Sequence, residues 1–354
     1  MTISATTQGI KPGVCTSTNR PAAPFDGQVI YMTDVDQTAV WDGSQWTVLA
    51  PIAGGRNAII NGAMNVWQRG TSTSLALGGG GYVGPDRWWY YNNGFTSTIS
   101  RQSCGSTLPQ FQYCARIQRT SGQTGTAAMI LFSPQETINS LRFAGKNATV
   151  SFYARASSGA SRANTMDMSI VTGTGTDQSN FGGGAYTGSS QIAYINPTLT
   201  TSWQRFSVTG AVASTATEIG LQLGFIPTGT AGASDYFEIT GIQLEEGAVA
   251  TPFEFEDYGT TLAKCQRYFC SIPVASVDSY ALAGAPAVSR VFYPVQMRAL
   301  PTLTTGTLIA QGNNTGAFTF DAATSSVLSG TLVITASASA RAYYYAALTA
   351  SIEL

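Results

Sequence analysis

The carboxylates best placed for acid–base chemistry lie between Asp235 and Asp257. Glu254 and Glu256 are two residues apart, so in an extended segment they share a face at a separation of about 7 Å. That separation suits the acid and base of glycosidic bond cleavage. Carboxylates at this spacing are also common on solvated surface segments, and the long parallel β-helix repeats of a glycan-cleaving spike are missing. The pair therefore leaves a polysaccharide depolymerase as the alternative function, and we assign no catalytic residue.

Composition also argues against an enzyme. The chain contains no histidine, which removes the commonest general base, the histidine-dependent nucleophile systems and the usual zinc sites. Charged residues make up 10% of the chain and the net charge is −1, so nucleic-acid binding lacks its clustered basic footprint. No apolar run reaches the length of about 18 residues that would suggest membrane insertion. Few charges and many glycines favour a β-rich structural or binding protein.

Two aromatic clusters could stack against sugar rings. The first covers residues 88–91, and the second combines residues 343–345 with tyrosines at 280 and 293. In the first cluster, alternate members of a strand face opposite sides, so two rings are expected in the core and two at the surface. The second cluster lies near the C-terminal end of the sequence. Alternatively, the rings of both clusters lie in the hydrophobic core or in the interface of a trimer. The candidate carbohydrate-binding residues are Trp88, Trp89, Tyr90, Tyr91, Tyr280, Tyr293, Tyr343, Tyr344 and Tyr345.

The stretch from Asp235 to Asp257 also predicts the element around which the chain is organised. Phe237 and Ile239 alternate with polar residues, as in a half-buried strand. At Gly241 the apolar register slips by one residue, which predicts a β-bulge. The pattern indicates the last strand of a sandwich, followed by an extended strap that leads out of it.

The other elements predict an all-β protein with three parts. Residues 1–54 form a small β module with a hairpin around Asp42 and Gly43. Residues 55–258 contain about eight strands, one of them near 56–67, as expected of a jelly-roll sandwich. Residues 259–354 form a C-terminal β domain, with a short helix over 260–270 that begins after a threonine cap. The five cysteines favour reduced thiols, with a bond between Cys104 and Cys114 as the alternative.

Three stretches resemble bacteriophage tail-fibre and receptor-binding proteins. The first begins at Arg20-Pro21, continues through Gly27 to Tyr31, and includes Trp41-Asp42-Gly43 and Trp46; it is similar to a module that attaches fibres to a virion. The second covers residues 56–70 with 86–88, and the third covers residues 242–254 with 264–269. In such fibres the second and third stretches bracket a jelly-roll that is similar to a carbohydrate-binding module. The resemblance covers about the first 270 residues, and the two paired stretches are its most specific part.

This resemblance implies a homotrimer on the virion that is synthesised in the host cytoplasm. Residues 1–54 would bind phage tail or baseplate proteins, and the remainder would adsorb to a host surface polysaccharide. A purely structural tail or baseplate component is a further alternative. The related sandwiches often hold one structural Ca²⁺, and no other cofactor is implied. The oxygen donors in the matching regions, and so the candidate calcium ligands, are Asn61, Asp86 and Glu238.

Overall fold

The computed structural model of the chain describes residues 12–34, 37–48, 55–76, 78–161, 165–179, 181, 186–321 and 325–354. It confirms the all-β class. The first sheet has four strands in chain order: β1 (Gly13–Cys15), β2 (Val29–Met32), β3 (Gln37–Trp41) and β4 (Trp46–Val48). The predicted hairpin joins β3 to β4, where the Asp42 carboxylate accepts the backbone N–H groups of Ser44 and Gln45 at 2.9 Å each. The predicted boundary at residue 54 lies outside the described residues.

Twelve strands then build two six-stranded sheets that pack face to face. The β16 sheet has the order β14-β11-β16-β9-β8-β5, and the β15 sheet has the order β13-β12-β15-β10-β7-β6. In chain order these strands are β5 (Ser72–Leu75), β6 (Gly80–Gly81), β7 (Trp89–Asn92), β8 (Ser97–Ser103), β9 (Tyr113–Arg119), β10 (Met129–Pro134), β11 (Asn147–Ala156), β12 (Asp167–Gly173), β13 (Ser190–Ile195), β14 (Gln204–Ala211), β15 (Glu218–Phe225) and β16 (Tyr236–Glu246).

The central strand β16 has the predicted alternation and the predicted bulge. Phe237 and Ile239, followed by Ile242 and Leu244, lie in the main core between the two sheets. The pairing with β11 shifts from Ser151 opposite Gln243 to Tyr153 opposite Thr240, so two residues of β16 face one of β11. Gly241 lies within the shift at φ +60°, in the left-handed region that glycine adopts without strain.

The strand predicted near residues 56–67 is wrong. This segment instead makes turns, with Asn61 at φ 60° and Met64 at φ 55°, and such angles interrupt a strand. It lies against β16 through two backbone hydrogen bonds, from Ala58 N–H to Leu244 at 2.8 Å and from Ile242 N–H to Gly62 at 2.9 Å. A Cβ at Gly62 would lie 2.0 Å from the Ile242 carbonyl oxygen. The close approach therefore requires glycine.

Two helices are present in the described part of the chain, α1 (Thr137–Ser140) and α2 (Tyr258–Gln266). The second is the predicted helix, displaced toward the N-terminus. Its cap is Asp257, whose carboxylate accepts the Thr260 N–H at 3.1 Å, because a carboxylate satisfies the free N–H groups of a first turn. Neither helix is long and apolar enough to cross a bilayer.

Six further strands form two three-stranded sheets around a second core. The first has the order β17-β22-β19 and the second β18-β21-β20. The strands are β17 (Phe269–Ala281), β18 (Pro286–Phe292), β19 (Thr302–Gly312), β20 (Thr319–Phe320), β21 (Ser329–Thr335) and β22 (Ala340–Ser351).

Candidate functional site

The outward face of the β15 sheet is wide and has small residues at its centre. Leu221 and Leu223 of β15 belong to the core, so Gln222 between them points outward, with Gly220 and Gly224 on either side. Gly224 is half-buried and carries no side chain, so a ligand can approach the backbone there, whereas Gly220 is buried. This face, which we call the β15 face, is bordered by β7 on one side and by β13 on the other.

The β7 border carries the first predicted aromatic cluster. Trp88 and Tyr90 are fully buried in the core, whereas Trp89 and Tyr91 lie on the outward side, across the ladder from Phe132 and Ile130 of β10. The ring of Trp89 stacks on Phe181, with centroids 4.1 Å apart and an interplanar angle of 14°. Trp89 is therefore covered, and Tyr91 is the ring of the cluster that borders the open part of the face.

The opposite border combines an exposed ring with polar side chains. Tyr194 on β13 is 50% exposed, and its hydroxyl donates to Asp167 Oδ1 of β12 at 2.6 Å. The Asn196 amide donates to the same oxygen, and Gln191 Nε2 donates to Ser169 Oγ at 2.5 Å. These bonds fix the orientation of five polar groups before any ligand arrives. From β7 to β13 the face spans four strand spacings, about 19 Å.

These polar residues were missed by sequence reasoning. Asp167, Gln191, Tyr194 and Gln222 come from three strands and Asn196 follows β13, which itself begins after a segment rich in glycine and serine. The available signal was the Ile-Ala-Tyr-Ile alternation at 192–195 and the glycine–leucine alternation of β15. Neither pattern shows that the two strands share a sheet with Tyr91.

The tyrosines of the second predicted cluster point to both sides of their sheet. Tyr343 and Tyr345 lie on the outward side of β22 with centroids 5.6 Å apart, while Tyr344 and Tyr293 are buried. Tyr280 is 82% exposed and lies opposite Arg341 in the ladder. The structure therefore brings Tyr280, Tyr343 and Tyr345 to one surface.

The surface formed by Tyr280, Tyr343 and Tyr345 already contains an ion pair. Arg341 donates to Asp278 through Nε at 2.8 Å and Nη2 at 2.5 Å, and the Tyr345 hydroxyl donates to the same carboxylate. Hydrogen bonds from Arg341 and then from Tyr345 lower the pKa of Asp278 to about 2. Its carboxylate is therefore charged near neutral pH and held by protein donors.

The three candidate calcium ligands have protein partners. Asn61 Oδ1 accepts the N–H groups of Asn65 and Val66, and its amide donates to the Asp86 carbonyl at 3.1 Å. The Asp86 carboxylate accepts the backbone N–H and the side-chain amide of Gln68, and burial raises its pKa. Across the described residues, no group of three or more Cys, Asp or Glu side chains could hold a metal ion. The calcium site stays a prediction that this geometry does not favour.

Glu254 and Glu256 also hold structural contacts. Glu254 Oε2 accepts the Asn57 N–H at 2.7 Å, and Glu256 accepts the Thr261 hydroxyl at 3.0 Å and pairs with Lys264. The two carboxylates therefore attach the strap to the segment before β5 and to α2.

Cys104 and Cys114 lie together in a small buried cluster as free thiols.

No family model matches the sequence, and no curated protein matches it. Among solved structures, the enzymatically active domain of bacteriophage CBA120 tailspike protein 4 is 12% identical with a TM-score of 0.34, over 54% of this chain and 21% of that one. TmCBM61 in complex with β-1,4-galactotriose is 13% identical with a TM-score of 0.32, over 54% and 99%. The CBM22-1 xylan-binding domain of Paenibacillus barcinonensis Xyn10C is 13% identical with a TM-score of 0.29, over 50% and 95%.

Proposed function

We propose that the chain binds carbohydrate on the β15 face and leaves it chemically unchanged. The observation that carries this proposal is the pair of tyrosines, Tyr91 and Tyr194, on opposite borders of a glycine-centred face with oriented polar groups. Tyrosine rings stack on the apolar faces of sugar rings. Amide and carboxylate groups such as those of Gln191 and Asp167 fix the orientation of hydroxyls.

The carboxylates of the β15 face support binding over cleavage. Asp167 lies opposite Gly224, whereas Glu218 lies six residues away along β15, a separation of about 20 Å by strand rise. The two carboxyl groups of a glycosidase lie roughly 5–9.5 Å apart, in either stereochemical class. The Asp167 carboxylate is also engaged by Tyr194 and Asn196. This pair therefore does not supply the acid and base of hydrolysis.

A glycan array probed with the full chain tests the proposal. Once a bound glycan is known, Tyr194→Ala should weaken its binding about fivefold or more, because a stacked ring contributes about 1 kcal/mol beyond its buried area. Tyr280→Ala is the matched control, since it removes an exposed tyrosine from the C-terminal sheets. A loss that follows Tyr280 and spares Tyr194 would contradict the β15 face. Release of reducing sugar from the bound glycan would contradict the non-catalytic assignment.

We further propose that this binding serves a phage tail fibre or receptor-binding protein on the virion. The support is the resemblance of the three stretches, two of which pack on each other where residues 57–62 contact 242–254. A homotrimer attached to tail or baseplate proteins through residues 1–54 would multiply weak contacts with a host surface polysaccharide by avidity. Immunogold labelling of particles with an antibody to the chain tests this, and labelling away from the fibres would contradict it.

A further inference from the structure

The outward side of the β16 sheet concentrates positive charge. Phe237 and Ile239 face the core, so Glu238 between them points to the other side. Its neighbours across the two ladders are Arg116 of β9 and Arg155 of β11. The Glu238 side chain is fully buried, whereas those of Arg116 and Arg155 remain 26% and 24% exposed. Two cations therefore flank one carboxylate on an accessible face.

Both guanidinium groups are held in place. Arg116 donates to Glu238 Oε1 through Nε at 2.8 Å and Nη2 at 2.6 Å, and Arg155 donates to Oε2 through Nε at 2.6 Å. The guanidinium of Arg116 lies 3.9 Å from the ring centre of Tyr236, and that of Arg155 lies 4.8 Å from Trp203. Ring and carboxylate together fix the two heads, so a ligand that binds them costs little side-chain entropy.

Most donors of these two arginines have no hydrogen-bond partner among the described residues. Each guanidinium carries five N–H groups, and their described bonds involve only Nε and Nη2 of Arg116 and Nε of Arg155. Glu238 is the one carboxylate that pairs with them in the described part of the chain, so the pair keeps one excess positive charge. Arg205 of the neighbouring strand β14 adds a further cation, whose described bonds go to neutral oxygens of Ser151 and Thr251.

We infer that Arg116 and Arg155 form a binding site for an oxyanion, a carboxylate or a sulfate group. The planar guanidinium fork matches the paired oxygens of both groups. A bound oxyanion neutralises the excess charge, and it uses donors that the buried Glu238 does not reach. On a saccharide the matching groups are the carboxylate of a uronic acid and a sulfate ester. This site is separate from the β15 face, which lies on the other sheet of the sandwich.

Calorimetric titration of the full chain at low salt tests the site, with sodium sulfate, an oligogalacturonate and a neutral galactose oligomer of equal length as probes. We expect binding of the two anionic probes, weakened by added salt. Arg116→Gln and Arg155→Gln should each weaken it about tenfold or more, as expected for a charge-assisted hydrogen bond. Arg20→Gln is the matched control, because it removes an exposed charge from the segment between β1 and β2, and it should leave the affinity unchanged.

Glu238→Gln distinguishes a ligand site from a structural ion pair. It removes the competing carboxylate while keeping the shape, so anion affinity should rise. Melting temperatures of all these variants and of Arg116→Lys identify any loss of anion binding that is caused by unfolding. Sulfate binding without oligogalacturonate binding would restrict the site to free anions. Absence of binding by both anionic probes, or equal loss in Arg20→Gln, would overturn the inference. Tyr194→Ala should leave sulfate binding intact, which separates this test from that of the β15 face.

Discussion

Gly241 determines how β16 passes its bulge. Its φ of +60° is left-handed, and a Cβ there would lie 2.5 Å from Phe111 Cζ and 2.9 Å from Tyr153 Cδ2. Gly241→Val should therefore lower the free energy of unfolding by about 3 kcal/mol or more, because backbone strain and overpacking each cost about 1–3 kcal/mol. Denaturant titration of the purified chain measures this loss.

Gly247 provides the matched control for Gly241. It also has a positive φ, +114°, but no described atom lies within 4 Å of the Cβ it would carry. Gly247→Ala should therefore cost only the backbone strain, about 1–2 kcal/mol. Equal unfolding curves for Gly241→Val and the unchanged chain would contradict the bulge as a structural requirement. Equal losses at both glycines would show that contact with Phe111 contributes nothing.

The segment before β5 lies along β16 at residues 242–244, and Asn57 holds it there by hydrogen bonds. Asn57 Nδ2 donates to the Ile242 carbonyl at 3.1 Å, and its Oδ1 accepts the N–H groups of Leu244 at 3.1 Å and Ile59 at 2.9 Å. Asn57→Ala should lower the free energy of unfolding by about 2–3 kcal/mol, because it leaves several part-buried backbone groups unpaired.

Hydrogen exchange gives a local measure of the same change. The Leu244 amide should exchange faster in Asn57→Ala than in the unchanged chain, since it loses the acceptor that Asn57 supplies. Asn147→Ala, at an exposed position of β11, should alter neither exchange nor stability. Unchanged protection of Leu244 would show that the segment is held by its backbone bonds alone.

The elements were predictable where one face is apolar. Phe237 and Ile239 gave the period of β16, and the glycine between two apolar registers gave its bulge. The polar face of β16 was not predictable as buried: Thr240 and Gln243 are fully enclosed, because residues near Phe111 and the strap cover them. The cover of Thr240 comes from Ala63 and Tyr113, more than a hundred positions away, and that of Gln243 from the way the strap turns back onto it; an alternation pattern contains neither.

The candidate site was predictable only at one border. The Trp88–Tyr91 run marked two outward rings by alternation, and one of them, Tyr91, borders the open face. That Phe181 would cover Trp89 depends on a loop contact across some ninety residues. Tyr194 and Asp167 join the site only because β13 and β12 extend the sheet beyond β15, and strand order is not written in the spacing of any one segment.

At the scale of the whole molecule, buried charge joins the sandwich to the C-terminal sheets. Arg87 is 2% exposed and pairs with Glu353, which Arg69 also contacts at 2.8 Å. The ring of Tyr268 lies 3.6 Å from the Arg87 guanidinium. Separating the two parts would leave Arg87 and Glu353 without each other, while Arg69 would keep its contact with Asp86 at 3.6 Å; the loss of a buried pair is strongly unfavourable. The sandwich and the C-terminal sheets are therefore held in one relative orientation, and so are their outward faces.

The outward side of β18 is the surface on which we predict the subunit contact of a homotrimer. Val288 is 55% exposed and Phe292 is 71% exposed on the same side of this strand, and exposed apolar surface of this kind is stabilised by association. Phe292→Asp should therefore shift the mass in light scattering from three chains toward one, because it removes a large exposed apolar ring from this surface. Ile138→Asp, at a 74% exposed position of α1, should keep the trimer. A monodisperse monomer of the unchanged chain would contradict the trimer itself, and dissociation by the Ile138 control would place the contact on the sandwich.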